Sequence, residues 1–175
     1  MTIDSLIPAY RAMAGTENFH GLSVLQHADS IGKMVRLVRA KTLLDFGCGR
    51  GDAYRSPHHV WKQWDLPFSG VTLYDPAFNR NDQLPAADKK FDVVVCSDVL
   101  EHIPEAEVDE FIDRLIGYAR HALWASVCCR KAKKKFPDGT NLHVTVKPYD
   151  WWHDKFTEAV ARARRNVAFT LVETP

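Results

Sequence analysis

The sequence predicts an α/β fold in which a doubly wound, mainly parallel sheet is flanked by helices. Short β-rich runs alternate along the chain with segments whose apolar residues recur at helical spacing. Residues 91–96 are apolar at nearly every position, as expected for a strand covered on both faces. Glycines at 47, 49 and 51 directly follow the first predicted strand, where open α/β sheets bind ligands. Together these three observations predict the fold class.

The predicted elements follow one another with short connections. They are a helix at 31–38, strands at 42–46, 71–74 and 91–96, a helix from 104 to 119, a strand at 122–129, a helix beginning near 148 and a strand at 167–172. Pro104 stands at a first helical position, and Glu105 and Glu107 follow in the first turn. Residues 76–90 are too few for another full helix and strand. We therefore expect a reduced fold with a shortened third-strand region.

Composition limits the class of protein. The chain has 175 residues, of which 46% are hydrophobic and 26% charged, which is typical of one globular domain. No run approaches the roughly 20 apolar residues of a membrane span, and the N-terminus lacks the pattern of a signal peptide. The four cysteines show no C-x-x-C spacing, so reduced thiols and a cytoplasmic location are expected.

Charge is segregated although the net charge is only +1. Residues 98–113 are strongly acidic, whereas residues 130–135 carry five cations in six positions. Near neutrality therefore results from two opposite patches, and it excludes a strongly basic nucleic-acid binder of the simplest kind.

The glycine segment carries the strongest chemical signal. Glycines allow a sharp turn and let the backbone approach a ligand without an intervening Cβ. A dinucleotide loop would need a glycine where Asp52 stands, and a phosphate loop would need a following lysine. Asp45 and Asp52 would repel a pyrophosphate but not a cationic amine or sulfonium. A glycine turn that binds nothing is the alternative interpretation.

With these residues, the chain resembles the class I S-adenosylmethionine-dependent methyltransferases. Their acidic-x-G-x-G-x-G motif matches Asp45 and the three glycines, and Asp75 matches the acidic residue that accepts hydrogen bonds from the ribose hydroxyls. Residues 91–103 resemble the family's "FDVV…S.VLEH" stretch near the methionine moiety, and Asp82 lies where an acidic residue often meets the adenine amine. The resemblance covers residues 28–129 and implies a Rossmann-like fold with S-adenosylmethionine as cofactor and S-adenosylhomocysteine as product. The cofactor-binding residues it implies are Asp45, Gly47, Cys48, Gly49, Gly51, Asp75, Pro76, Asp82, Ser97 and Asp98.

A narrower resemblance to small bacterial and phage methyltransferases lies in residues 43–51, 135–146 and 151–152. We therefore expect one methyltransferase domain over residues 1–175. Its parts are an N-terminal lid or extension at 1–27, a cofactor-binding core at 28–129, and an acceptor loop, helix and last strand at 130–175. Tyr10 and Phe19 are candidates for the lid, and simple packing is their alternative role.

Methyl transfer from a sulfonium is a direct displacement, so most catalysis can come from orientation. A base is needed only if the acceptor must lose a proton near the transition state. The catalytic candidates are Asp98, His102 and His143, with Glu101 as a further carboxylate. Alternatively, His102 orders the loop before Pro104, and Asp98 and Glu101 act through charge or belong to the acidic helix start.

The acceptor is the least determined feature of the sequence. No metal site is predicted, because the pair His58 and His59 has no third ligand at a recognisable spacing. A small polar acceptor is expected, and residues 130–135 leave an anionic one open unless they form only a solvated loop. Nucleic acid is not favoured, since many acids lie nearby. An adenosylmethionine-binding regulatory or partner-dependent domain without turnover is the alternative function, and the oligomeric state stays open.

Overall fold

The computed structural model describes residues 2–14 and 19–174, which form one five-stranded sheet with helices on both faces. The strands are β1 Leu43–Phe46, β2 Val71–Tyr74, β3 Phe91–Ser97, β4 Ala119–Val127 and β5 Ala168–Glu173. Their spatial order is β2-β1-β3-β4-β5, and every pairing is parallel. This arrangement confirms the predicted Rossmann-like α/β class.

The described residues form five α-helices, of which the third packs on one face of the sheet and the last two pack on the other. They are α1 Ile3–Ala14, α2 Ser23–Gln26, α3 Ala28–Leu37, α4 Val108–Tyr118 and α5 Tyr149–Ala163. Successive strand residues point to opposite faces. On β3, Val93 and Val95 therefore pack with the α3 side, whereas Val94 and Cys96 pack with α4 and α5. Burial on both faces explains why this strand is apolar throughout.

The boundary between α4 and β4 differs from the sequence prediction. Residues Glu105–Glu107 form a separate 3₁₀ turn, and the α-helix begins only at Val108. Ala119, expected on the buried stripe of the helix, is already the first residue of β4 and pairs with Phe91. The predicted strand start at 122 was therefore late. The helix ends at Tyr118 and the strand begins at the next residue. No proline, glycine or other turn residue between them marks the boundary in the sequence.

The third-strand region is shortened, as predicted. Within the part of the chain that the structure describes, residues 75–90 contain turns but no helix or strand, and β2 is an edge strand. The helix α1 was not predicted. Pro8 lies inside it, which masks the helical signal because proline lacks a backbone N–H.

The register of the sheet determines where the candidate residues meet. Phe46 pairs with Tyr74, and Asp45 pairs with Val95, so β1, β2 and β3 end at the same edge. The glycine segment and Asp75 follow directly from the ends of β1 and β2, and Ser97 is the last residue of β3. Among the described helices none has both the length and the apolar character needed to cross a membrane.

Candidate active site

A cavity of about 470 Å³ opens at the carboxyl ends of β1, β2 and β3. This volume falls within the roughly 300–1,000 Å³ of small-molecule sites. The sequence-predicted residues that line it are Gly47, Gly49, Asp75, Pro76, Ser97, Asp98 and His102. The helix α1 adds Ile3, Ile7 and Tyr10 to the lining, and Phe19 follows after residues 15–18, which lie outside the described part. The cavity thus brings together most of the predicted site.

The glycine segment forms one wall of the cavity and is held by the backbone on both sides. The Gly47 and Cys48 amides both donate to the Tyr74 carbonyl, at 2.7 and 3.1 Å. The Arg50 amide donates to the Phe19 carbonyl at 3.0 Å. Gly49 has φ +56°, and a Cβ there would lie 2.4 Å from that carbonyl oxygen. Only glycine fits this position.

We expect Gly49→Ala to destabilise the fold more than Gly139→Ala. Both positions have a positive φ, which costs a non-glycine residue about 1–2 kcal/mol. A Cβ at Gly139 meets no atom within 4 Å, so Gly139→Ala carries the conformational cost without the collision. Urea unfolding of both variants measures the difference. Equal losses of stability would show that the Phe19 backbone simply moves away.

Asp75 presents a carboxylate at the end of β2 that is preorganised by the backbone. Its Oδ2 accepts from the Gly49 amide and its Oδ1 from the Ala77 amide, both at 2.9 Å. A carboxylate offers about four acceptor positions, so each oxygen keeps one for a ligand hydroxyl. Burial raises the pKa of this carboxyl, and the two amides oppose that shift. The geometry fits a ligand that carries a vicinal diol.

Asp45, Cys48 and Gly51 support the wall from behind rather than lining it. Asp45 and Cys48 are buried. Burial raises the pKa of the Asp45 carboxyl to about 7, with the neighbouring Tyr54 hydroxyl opposing the shift. Asn81, which the sequence did not single out, donates from Nδ2 to the Gly49 carbonyl at 3.0 Å. These residues hold the shape of the glycine segment.

As the pH rises from 5 to 8, we expect the free energy of unfolding to fall less in the Asp45→Asn variant than in the unaltered chain. A carboxyl whose folded pKa lies above its unfolded value contributes stability below about pH 4, and that contribution is lost as the pH rises through about 7. The amide does not titrate, so the variant lacks this loss. Denaturant unfolding at several pH values measures the difference, with the exposed Asp88→Asn as control. Parallel pH profiles for the unaltered chain and Asp45→Asn would contradict the assignment.

Two hydrogen bonds to Ser126, near the end of β4, fix the position of Asp98 beside the cavity. The Ser126 hydroxyl donates to Asp98 Oδ1 at 2.8 Å and accepts from the Asp98 amide at 3.1 Å. Asp98 has φ +55°, a left-handed conformation that is uncommon outside glycine and is enriched in functional sites. Ser126 was not predicted, because the contact depends on strand pairing.

His102 lines the cavity and is held through its Nδ1 nitrogen. Its Nδ1 lies 2.9 Å from the Leu142 carbonyl, which also accepts from the Tyr10 hydroxyl at 3.1 Å. Since a carbonyl only accepts, Nδ1 carries the proton in this contact and Nε2 keeps a lone pair. Burial and nearby His143 lower the pKa of His102 to about 4. His102 is therefore a neutral acceptor near pH 7.

Three further candidates also lie outside the cavity lining. His143 sits behind His102, with ring centroids 5.1 Å apart, and its Nε2 is 3.9 Å from Glu101 Oε1. Glu101 is fully buried, which raises the pKa of its carboxyl to about 8. Asp82 accepts from the Gln83 amide group at 3.2 Å, away from the lining. Contact of His143 with the acceptor and of Asp82 with adenine stays a sequence-based prediction.

Comparison with known proteins adds one family. The model of a methyltransferase domain matches residues 25–157, which span β1 to β4 and most of α5. Neither the curated proteins nor the solved structures contain a match to this chain.

Proposed function

Since the chain belongs to the methyltransferase-domain family and is an S-adenosylmethionine-dependent methyltransferase, we propose that it transfers the methyl group to an oxygen or nitrogen atom of a small polar acceptor. The proposal places the methyl donor in the cavity at the ends of β1, β2 and β3. The observation that carries this placement is Asp75, whose two oxygens are each held by one amide and each keep a free acceptor position.

The residues around the cavity fit the parts of the donor. Asp75 would accept the ribose hydroxyls, and the glycine segment would let the backbone lie close to the ligand. Ser97 and Asp98 would flank the methionine moiety, and the carboxylates of Asp75 and Asp98 give the cavity the charge that favours a sulfonium. When bound, the donor supplies a methyl group that the positive sulfur already activates.

The chain's own contribution to the transfer is orientation and removal of one proton. The carbon–sulfur bond breaks as the new carbon–oxygen or carbon–nitrogen bond forms, and the acceptor's proton passes to His102 Nε2. The Leu142 carbonyl and the Tyr10 hydroxyl hold the His102 ring for this role. Holding the two reactants in line supplies on the order of 7–11 kcal/mol, and a positioned base adds about 10²–10⁴-fold.

We propose that the loop between β4 and α5, which contacts His102, borders the acceptor. This loop carries the cations of residues 130–135, whose side chains are exposed except at Ala132, and it also supplies the Leu142 carbonyl. A basic loop beside the base favours an acceptor with negative charge. The acidic residues at the start of α4 also favour a small molecule over a long nucleic acid.

We propose a cytoplasmic location and a bacterial or phage origin, each from its own observation. The four cysteines are free, which suits a reducing cytoplasm. The narrower resemblance in residues 43–51 and 135–146 supports a bacterial or phage origin.

Thermal shift and turnover test the proposal together. A ligand at 100 times its Kd stabilises a fold by about 2.7 kcal/mol, so S-adenosylmethionine and S-adenosylhomocysteine should raise the melting temperature while NAD should not. Incubation with methyl-labelled donor over a panel of neutral and anionic small acceptors should transfer label to an oxygen or nitrogen. A shift with NAD alone would overturn the donor assignment. Donor binding without labelled product over the whole panel would instead support a regulatory domain.

A further inference from the structure

A cluster of three potential metal ligands lies next to the cavity, behind His102. The side-chain ligand atoms of Glu101, Cys128 and His143 all lie within 4.8 Å of one another. Glu101 follows β3, Cys128 follows β4, and His143 comes from the loop before α5, so the cluster joins three separate segments. We propose that the Glu101–Cys128–His143 cluster binds a zinc ion.

His143 is oriented as a metal-binding histidine is. Its Nδ1 lies 2.5 Å from the Arg130 carbonyl, so this nitrogen carries the proton and donates. Its Nε2 therefore keeps a lone pair and lies 3.9 Å from Glu101 Oε1. Metal-ligating histidines characteristically donate their other ring N–H to a carbonyl or carboxylate, which fixes the tautomer.

Glu101 lacks the partners that a buried carboxylate needs. The residue is fully buried, and Oε1 accepts one hydrogen bond, from the Cys128 amide at 3.2 Å. Oε2 has no hydrogen-bond partner among the described residues. The 3.9 Å between Oε1 and His143 Nε2 is too long for a hydrogen bond. A polar oxygen that is buried without a partner is costly, and a cation between these atoms would give it one.

The chemical types of the three ligands determine which metal ion fits the cluster. Thiolate, imidazole and carboxylate together suit zinc, whose bonds to them measure about 2.0–2.3 Å, whereas magnesium and calcium require oxygen ligands. Cys128 Sγ makes only a weak 3.7 Å contact with the Arg130 carbonyl, which a thiolate would give up on binding. Three protein ligands leave a fourth position open for water.

The ion would also order the acceptor loop. Leu142, whose carbonyl holds His102 Nδ1, directly precedes His143. Zinc bound to His143 therefore fixes the segment that orients His102. The sequence alone did not predict the cluster, because its three members are distant in the chain and follow no ligand spacing.

Metal content of the full chain tests the proposal without any activity measurement. We expect one equivalent of zinc per chain by mass spectrometry after zinc loading and desalting. Replacement by Co²⁺ should produce the near-ultraviolet charge-transfer absorption of a cobalt thiolate. Cys128→Ala and His143→Ala should each weaken zinc binding at least 10-fold in competition with a chelator.

Cys129→Ala is the matched control, since Cys129 is the next residue in the chain and packs against the core outside the cluster. This variant should bind zinc and show the cobalt absorption as the unaltered chain does. Absence of zinc and of the cobalt absorption in the unaltered chain would overturn the proposal whether or not the variants fold. Equal affinity in Cys128→Ala and Cys129→Ala would also overturn it.

Discussion

Asp75→Ala is expected to weaken binding of S-adenosylmethionine about 100-fold. Hydrogen bonds to a charged partner contribute about 1.5–3 kcal/mol each, and the proposal assigns two ribose hydroxyls to this carboxylate. A loss of about 3 kcal/mol corresponds to roughly two orders of magnitude in Kd. The substitution also removes the acceptor of the Gly49 amide, so the glycine segment loses one of its anchors. Isothermal titration calorimetry measures the change in Kd.

Two further variants make this result specific. Asp75→Asn preserves the shape but not the charge, and it should also bind the donor weakly, because an amide offers one acceptor oxygen instead of two. Asp88→Ala removes an exposed carboxylate outside the cavity lining and should leave the affinity unchanged. An unchanged Kd for Asp75→Ala in a folded protein would remove Asp75 from the site. Asp82→Ala tests the sequence-based prediction that Asp82 meets adenine, which a weakened Kd would support.

His102→Ala should lower kcat by about 10²–10⁴-fold, the usual contribution of a positioned base. Donor affinity should change far less, because His102 is assigned to the acceptor's proton. Since burial and His143 lower the pKa of His102 to about 4, the ring is already neutral at pH 6–8. The kcat of the unaltered enzyme should therefore show no titration of this group in that range and should fall only as the pH approaches 4. Single-turnover rates and a pH profile measure both effects.

His153→Ala, an exposed histidine on α5, is the matched control and should turn over normally. The alternative role of His102 is to order the loop before Pro104. In that case His102→Ala would raise KM and lower the melting temperature while kcat stayed near its normal value. The separation of kcat from KM thus distinguishes a base from a loop-ordering residue.

The parts of the molecule that could be predicted from the sequence depend on short-range patterns. The strand at 91–97 was recognisable because a strand covered on both faces must be apolar at almost every position. The glycine segment was recognisable because backbone conformation and close approach restrict the residue type locally. Once parallel strands are predicted, their carboxyl ends must share an edge, so Asp75, Ser97 and Asp98 could be placed near the glycines.

Other features of the site depend on contacts between residues far apart in the chain. The hydrogen bonds between Asp98 and Ser126 form only because β3 and β4 pair in a particular register. The orientation of His102 depends on Tyr10 and Leu142, which are far from each other in the chain. The Glu101–Cys128–His143 cluster has the same origin. Local propensity carries no information about such pairs, because a hydrogen bond or ligand set is decided by distances that only packing establishes. The sequence was therefore sufficient for the fold class and the family and for a prediction of the donor side of the site, whereas the hydrogen bonds around His102 and the buried cluster behind it became visible only once the chain was folded.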